Sequence, residues 1–135
     1  MVTLHPPRQL LVELSADFRA LARLRDQLRT WLSDAEVAPP VREDLLLVAT
    51  ELCTNAIEAT AHAEPIEVRV SVDDAALRFS VANIAGSVDE DEVPELRHGS
   101  LQERGRGLAI VRALVDTVAM STGDGRTVVR TMQLL

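Results

Sequence analysis

Phe18, Leu21, Leu24, Leu28, Trp31 and Leu32 recur at intervals of three and four, the spacing of a helix with one buried face. The pattern predicts a helix from about Ala16 to Asp34, with Ser15 as N-cap and Arg19, Arg23, Asp26 and Arg29 turned to water or a partner. Pro39-Pro40 breaks it. A second helix is predicted from about Val41 to Ala61, with Leu45, Val48, Ala49, Leu52, Ala56 and Ala59 as its apolar stripe. Strand patterns flank these helices: Arg8 to Leu14, then Ile66 to Val72 and Leu77 to Val81, which alternate with period two around Asp73-Asp74 and read as a hairpin. Ala82 to Arg104 has little periodicity and an acidic run, Asp89-Glu90-Asp91-Glu92. Loops of that length are lids, binding loops or disordered. A third helix, starting near Gly105, carries Leu108, Ile110, Val111, Leu114 and Val115. Thr117 to Ser121 and Thr127 to Leu134 read as a last hairpin across Gly123-Asp124-Gly125-Arg126. Short turns favour antiparallel pairing, and helices should cover one face. The predicted fold class is α/β, a two-layer sandwich with a mainly antiparallel mixed sheet covered by three helices.

The chain has 135 residues, of which 47% are hydrophobic, which suits one domain with a sizeable core. Aromatics make up only 2%: Phe18, Phe79 and Trp31. The core is therefore aliphatic, with Met120 and Met132 expected in it, and a base-stacking nucleic-acid surface is disfavoured. A net charge of −7 argues likewise against binding a phosphate backbone, so no direct nucleic-acid partner is expected. Cys53 is the only cysteine, which excludes an intrachain disulfide, and its place in the second helix suits a buried structural thiol. No Cys/His cluster has zinc spacing, and His62 and His98 lack metal-ligand spacing. With no signal-peptide pattern and no apolar run long enough to span a bilayer, the expectation is a cytoplasmic protein with no membrane partner.

Three short segments carry candidate chemistry. Glu51 and Asn55 lie one turn apart on the second helix, and with Glu58 and His62 they fall within roughly a 60° arc beside the apolar stripe. An amide oxygen with phosphate oxygens suits magnesium, and a glutamate one turn away can accept a proton from a hydroxyl. The spacing alone equally fits a solvated glutamate and a helix-kinking asparagine. Gly105-Arg106-Gly107-Leu108 opens the third helix. Glycines there let the backbone approach an anion at a helix N-terminus, with Arg104 and Arg106 adding charge, although a flexible loop end reads the same way. Asn83-Ile84-Ala85-Gly86-Ser87 follows a strand. Asn83 can bond an adenine edge, or simply form a turn.

In this order and spacing the segments resemble the GHKL ATPase superfamily, and within it the bacterial anti-sigma-factor serine/threonine kinases. Glu51-Leu52-Cys53-Thr54-Asn55-Ala56-Ile57 is similar to the family's N box. Gly105-Arg106-Gly107-Leu108-Ala109-Ile110-Val111 is similar to its second glycine box, and Gly125-Arg126-Thr127-Val128 to its closing segment. The resemblance spans nearly the whole chain, as one histidine-kinase-like ATPase domain over 1–135. It implies a Bergerat fold that binds ATP with Mg2+. Glu51 would be the general base and Asn55 the metal ligand. Residues from Ile84 to Arg104 would form a lid, Gly105 and Gly107 would meet the phosphates, and Thr127 would lie near the adenine. Gly86, Arg104, Arg106 and Leu108 complete the implied nucleotide-binding set with Asn83. The implied partners are a sigma factor, held silent, and an antagonist protein phosphorylated on serine. Relatives of this shape are often homodimers, and the apolar first strand could pair across one.

The first glycine box departs from the family's Asp-x-Gly-x-Gly. Asn83 stands for the aspartate that bonds the adenine amino group, and Ala85 and Ser87 replace the glycines. Asparagine keeps an acceptor oxygen without the charge, and the added Cβ atoms obstruct positive φ or close approach. The departure implies weakened nucleotide binding, or none. The alternative is a nucleotide-independent, partner-binding regulator on the same fold. A detached sensor-kinase ATPase domain fits less well, since the sequence shows no phosphoacceptor-helix pattern and the N-terminal strand and helix suit the stand-alone form.

Overall fold

The computed structural model describes residues 8–60, 64–84, 107–123 and 125–135. Strand β1 (Arg8–Leu14) leads into helices α1 (Ala20–Asp34) and α2 (Pro39–Ala59). Strands β2 (Ile66–Val72) and β3 (Ala76–Ile84) follow. Helix α3 covers 107–114, before β4 (Thr117–Gly123) and β5 (Arg126–Leu134). The strands form one sheet in the order β1-β2-β3-β5-β4. Every pairing among the described residues is antiparallel, so the expected mixed character is absent there. None of the described helices is long and apolar enough to cross a membrane.

Alternation decides which face is covered. Leu14, Ile66, Val68, Val70, Leu77, Phe79 and Val81 are buried, and registers such as Val68↔Val81 and Val70↔Phe79 place them on one face. Leu24, Leu28 and Leu32 of α1, with Leu45, Val48, Ala49 and Leu52 of α2, close the core from the other side. Burying such side chains is worth about 1.5–3 kcal/mol each. With so few aromatics, the layer is filled almost wholly by branched aliphatics.

The helix ends differ from the sequence reading. Ser15 is no N-cap: α1 starts at Ala20, and its N-cap position, Arg19, makes no side-chain capping bond. The residues before it form a turn in which the Asp17 carboxylate accepts from the Arg19 backbone N–H at 2.9 Å and from its guanidinium at 2.7 Å. Phe18 belongs to that turn and is 54% exposed rather than part of the buried stripe. At the other end, Val37 N–H donates to Leu32 O and Glu36 N–H to Ser33 O, both at 3.0 Å. This doubly bonded termination requires a left-handed residue, and Glu36 fills the place with φ 60°. Pro39 and Pro40 do not precede α2 but begin it. Proline lacks only a hydrogen bond that the first turn never makes, and its fixed φ suits that turn. Of the two methionines expected inside, Met132 is half-buried and Met120 is 56% exposed on edge strand β4.

Candidate functional site

Helix α2 carries the first half of the site. Leu52, Cys53, Ala56 and Ile57 are buried, which fixes the rotation of the helix and leaves Glu51 and Asn55 half-buried at its margin. Glu58, of the same predicted polar stripe, is exposed, and His62 lies outside the described residues. Thr60 closes the helix: its backbone N–H and its hydroxyl both donate to Ala56 O, at 3.0 Å and 2.7 Å.

Cys53 points into the core and is fully buried. Desolvation pushes its thiol up to about 12, because burial penalises the thiolate. That excludes it as a nucleophile at neutral pH and fits the structural role expected of it.

Helix α3 supplies the second half. Gly107 is buried where α3 meets α2. A Cβ at this glycine would lie 2.8 Å from Glu51 Oε2 and 3.7 Å from Asn55 Nδ2. The backbone of Gly107 therefore rests on the Glu51–Asn55 stripe, where a side chain would displace the Glu51 carboxylate. Val111, one turn later, is fully buried and holds α3 in that position. Leu108 packs partly buried against the same core, so its described role is to seat the helix.

A second pair comes from the sheet. Strand β3 runs one residue past Asn83 in register with β5 and pairs Asn83 with Thr127. Asn83 is thus a strand residue rather than the start of a loop. It follows Phe79 and Val81 on the helix-facing side and is 6% exposed. Helix α2 packs on β3, so both pairs belong to the same helix–sheet layer. Gly86, Arg104, Gly105 and Arg106, and the span expected to act as a lid, lie outside the described residues.

Other features fall elsewhere. A trough of about 440 Å³ lies on the uncovered sheet face, where Arg69, Ser80 and Arg130 form a cross-strand row. It shares no residue with the site. No group of three or more His, Cys, Asp or Glu side chains suited to a metal occurs among the described residues. The sequence identified Glu51 and Gly107 separately, but nothing in it signalled their contact, which depends on how α3 docks. Gln133 also went unnoticed: it is 5% exposed and its Oε1 has no hydrogen-bond partner among the described residues. Only its alternation with Thr131 and Val129 along β5 could have placed it on the covered face.

Comparison with known proteins decides the kinship. The profile of the histidine kinase-like ATPase domain matches residues 14–133. The chain belongs to that family. Among curated relatives, the serine-protein kinase RsbW of Bacillus velezensis is 31% identical over 103 residues, which cover 68% of this chain. The matched part spans 64% of that kinase, somewhat under two thirds of its length. Among solved structures, the RsbU and RsbW domains of Rv1364c from Mycobacterium tuberculosis superpose with a TM-score of 0.71 at 24% identity, over 96% of this chain and 33% of that one. The SiaB–SiaC complex from Pseudomonas aeruginosa gives a TM-score of 0.63 at 15% identity, over 93% and 89% of the two chains. At these identities the two structures show the shared fold. Glu51, Asn55 and Gly107 all lie within the matched span.

Proposed function

We propose that this chain is a protein serine/threonine kinase of the anti-sigma type, a single ATP-binding domain acting in the cytoplasm. In this reading it holds a sigma factor silent and phosphorylates a small antagonist protein on serine. The observation that carries the reading is the seat of Gly107 against Glu51 and Asn55. The relative named a serine-protein kinase supports the same activity.

Roles follow from residue chemistry. Bound ATP would supply the phosphoryl group. Glu51, half-buried and one turn from Asn55, would accept the proton of the attacking serine hydroxyl. Asn55 would offer one amide oxygen to Mg2+, an ion that keeps several waters when it is bound with nucleotide phosphates. Gly107, with Gly105, Arg104, Arg106 and Leu108, would bind the phosphates. Asn83, Gly86 and Thr127 would serve the adenine.

One observation favours a second reading. Asn83 is nearly buried and carries no charge, so the adenine contact would be the weaker, uncharged kind. In that case the chain regulates its partners without nucleotide. Calorimetric titration with ATP, with and without Mg2+, separates the two. Micromolar, Mg2+-dependent binding upholds the kinase, whereas no heat at millimolar ATP leaves the regulator. In the kinase, Glu51→Ala abolishes transfer to the antagonist while keeping the fold and ATP binding, and undiminished transfer would remove Glu51 from the base role.

A further inference from the structure

We propose that Gly107 is a positioning residue for Glu51: the missing side chain keeps the Glu51 carboxylate where it can take a proton. The proposal rests on the kinase reading and adds to it, since a phosphate-binding glycine and a glycine that makes room for the base answer differently to substitution.

The geometry separates the two jobs. A Cβ on Gly107 would stand 2.8 Å from Glu51 Oε2 and 3.8 Å from Glu51 Cδ. Real Cβ atoms essentially never approach an oxygen that closely, so something must move. Helix α3 cannot retreat cheaply, because Val111 is fully buried and Leu108 packs against the same core. Helix α2 is held equally firmly by Val48, Leu52 and Cys53. What remains free is the side chain of half-buried Glu51, with three rotatable bonds. An alanine at 107 therefore rotates the carboxylate off its position and leaves both helices in place. A base moved by about an ångström loses much of its effect, and a positioned base contributes roughly 10²–10⁴-fold.

The test compares wild type with Gly107→Ala, Glu51→Ala and the double variant. It reads thermal stability, ATP affinity by calorimetry, Mg·ATP hydrolysis, and the carboxyl 13C resonance of Glu51, assigned by its loss in Glu51→Ala. The expected result for Gly107→Ala is a folded protein that is compared with wild type at saturating ATP. Its kcat falls about tenfold or more, and its Glu51 carboxyl resonance moves without nucleotide present. In the Glu51→Ala background, Gly107→Ala adds no further loss of rate, the coupling expected of residues acting through one another. Three results would overturn the proposal. An unmoved Glu51 resonance would show that the carboxylate is not displaced. A Kd weakened tenfold at unchanged kcat would assign Gly107 to the nucleotide alone. An additive loss in the double variant would show that it acts independently of Glu51. Wild-type hydrolysis by Glu51→Ala alone would instead sink the base reading itself, and this proposal with it.

Discussion

Replacing Asn83 by aspartate restores the charge that the related first box carries, and the structure lets both consequences be estimated. Asn83 is 6% exposed and pairs with Thr127 one residue from the end of the β3–β5 ladder. A carboxylate there loses most of its hydration, which raises its pKa above the unfolded value of about 3.9. A rise of about one to two units costs about 1.4–3 kcal/mol at neutral pH. The group's folded pKa is the higher one, so the deficit is full above it and vanishes as pH falls below about 4. At about 3–5 °C per kcal/mol for a chain of this size, Asn83→Asp should melt roughly 4–15 °C below wild type at pH 7 and close to it at pH 4. Nucleotide should act oppositely. A charged acceptor makes a bond about twice as strong as a neutral one, a gain of about 1.4 kcal/mol or roughly tenfold in Kd. Saturating ATP should therefore raise the melting temperature of the variant more than that of wild type. The assay is thermal unfolding at both pH values with and without Mg·ATP, alongside calorimetric Kd. A variant that shows the stability loss but binds ATP no better would place Asn83 away from the adenine. A variant as stable as wild type at pH 7 would contradict the burial argument.

Two further outcomes follow from local geometry. Because burial pushes the Cys53 thiol up to about 12, a disulfide reagent at pH 8 should leave the native protein unlabelled and react only as it unfolds, and stoichiometric labelling of the native state would show that the α2 core opens readily. Glu36 occupies a left-handed position, φ 60°, which costs an L-residue roughly 1–2 kcal/mol. After glycine's greater unfolded-state entropy is set against that, Glu36→Gly should stabilise the protein by about 0.5–1 kcal/mol in urea denaturation, and a destabilised variant would mean that the Glu36 side chain contributes more than its backbone costs.

Most of the architecture could be read from period alone. The limits of β1 and β2 coincide with the alternating runs, because strands with one buried face announce themselves every second residue. Helix α2 was recognisable from its apolar stripe, although its start was displaced: a proline pair signals a break and an entry equally well. Ser15 failed as a cap because Asp17, two residues later, organises the turn with its own carboxylate, a competition that residue type does not settle. Met120 looks like core because β4 alternates. It is exposed because β4 is an edge strand, and position in a sheet is a property of the whole fold. For the site, the one-turn relation of Glu51 and Asn55 is local and was legible. The seat of Gly107 on them joins segments from opposite halves of the chain, and no local pattern encodes it.

The sheet order also sets a sequence of events in time. Strand β1 is synthesised first, yet its partner β2, from Leu14↔Ile66 to Arg8↔Val72, emerges only after both long helices. The β2–β3 and β4–β5 pairs join neighbours across short turns and can close quickly. Attaching β1 requires closing a loop that contains α1 and α2, an entropic cost that slows folding. During synthesis the first strand must wait with its alternating apolar side chains uncovered. Until β2 arrives, β1 is open to chaperones and to mispairing with other nascent strands.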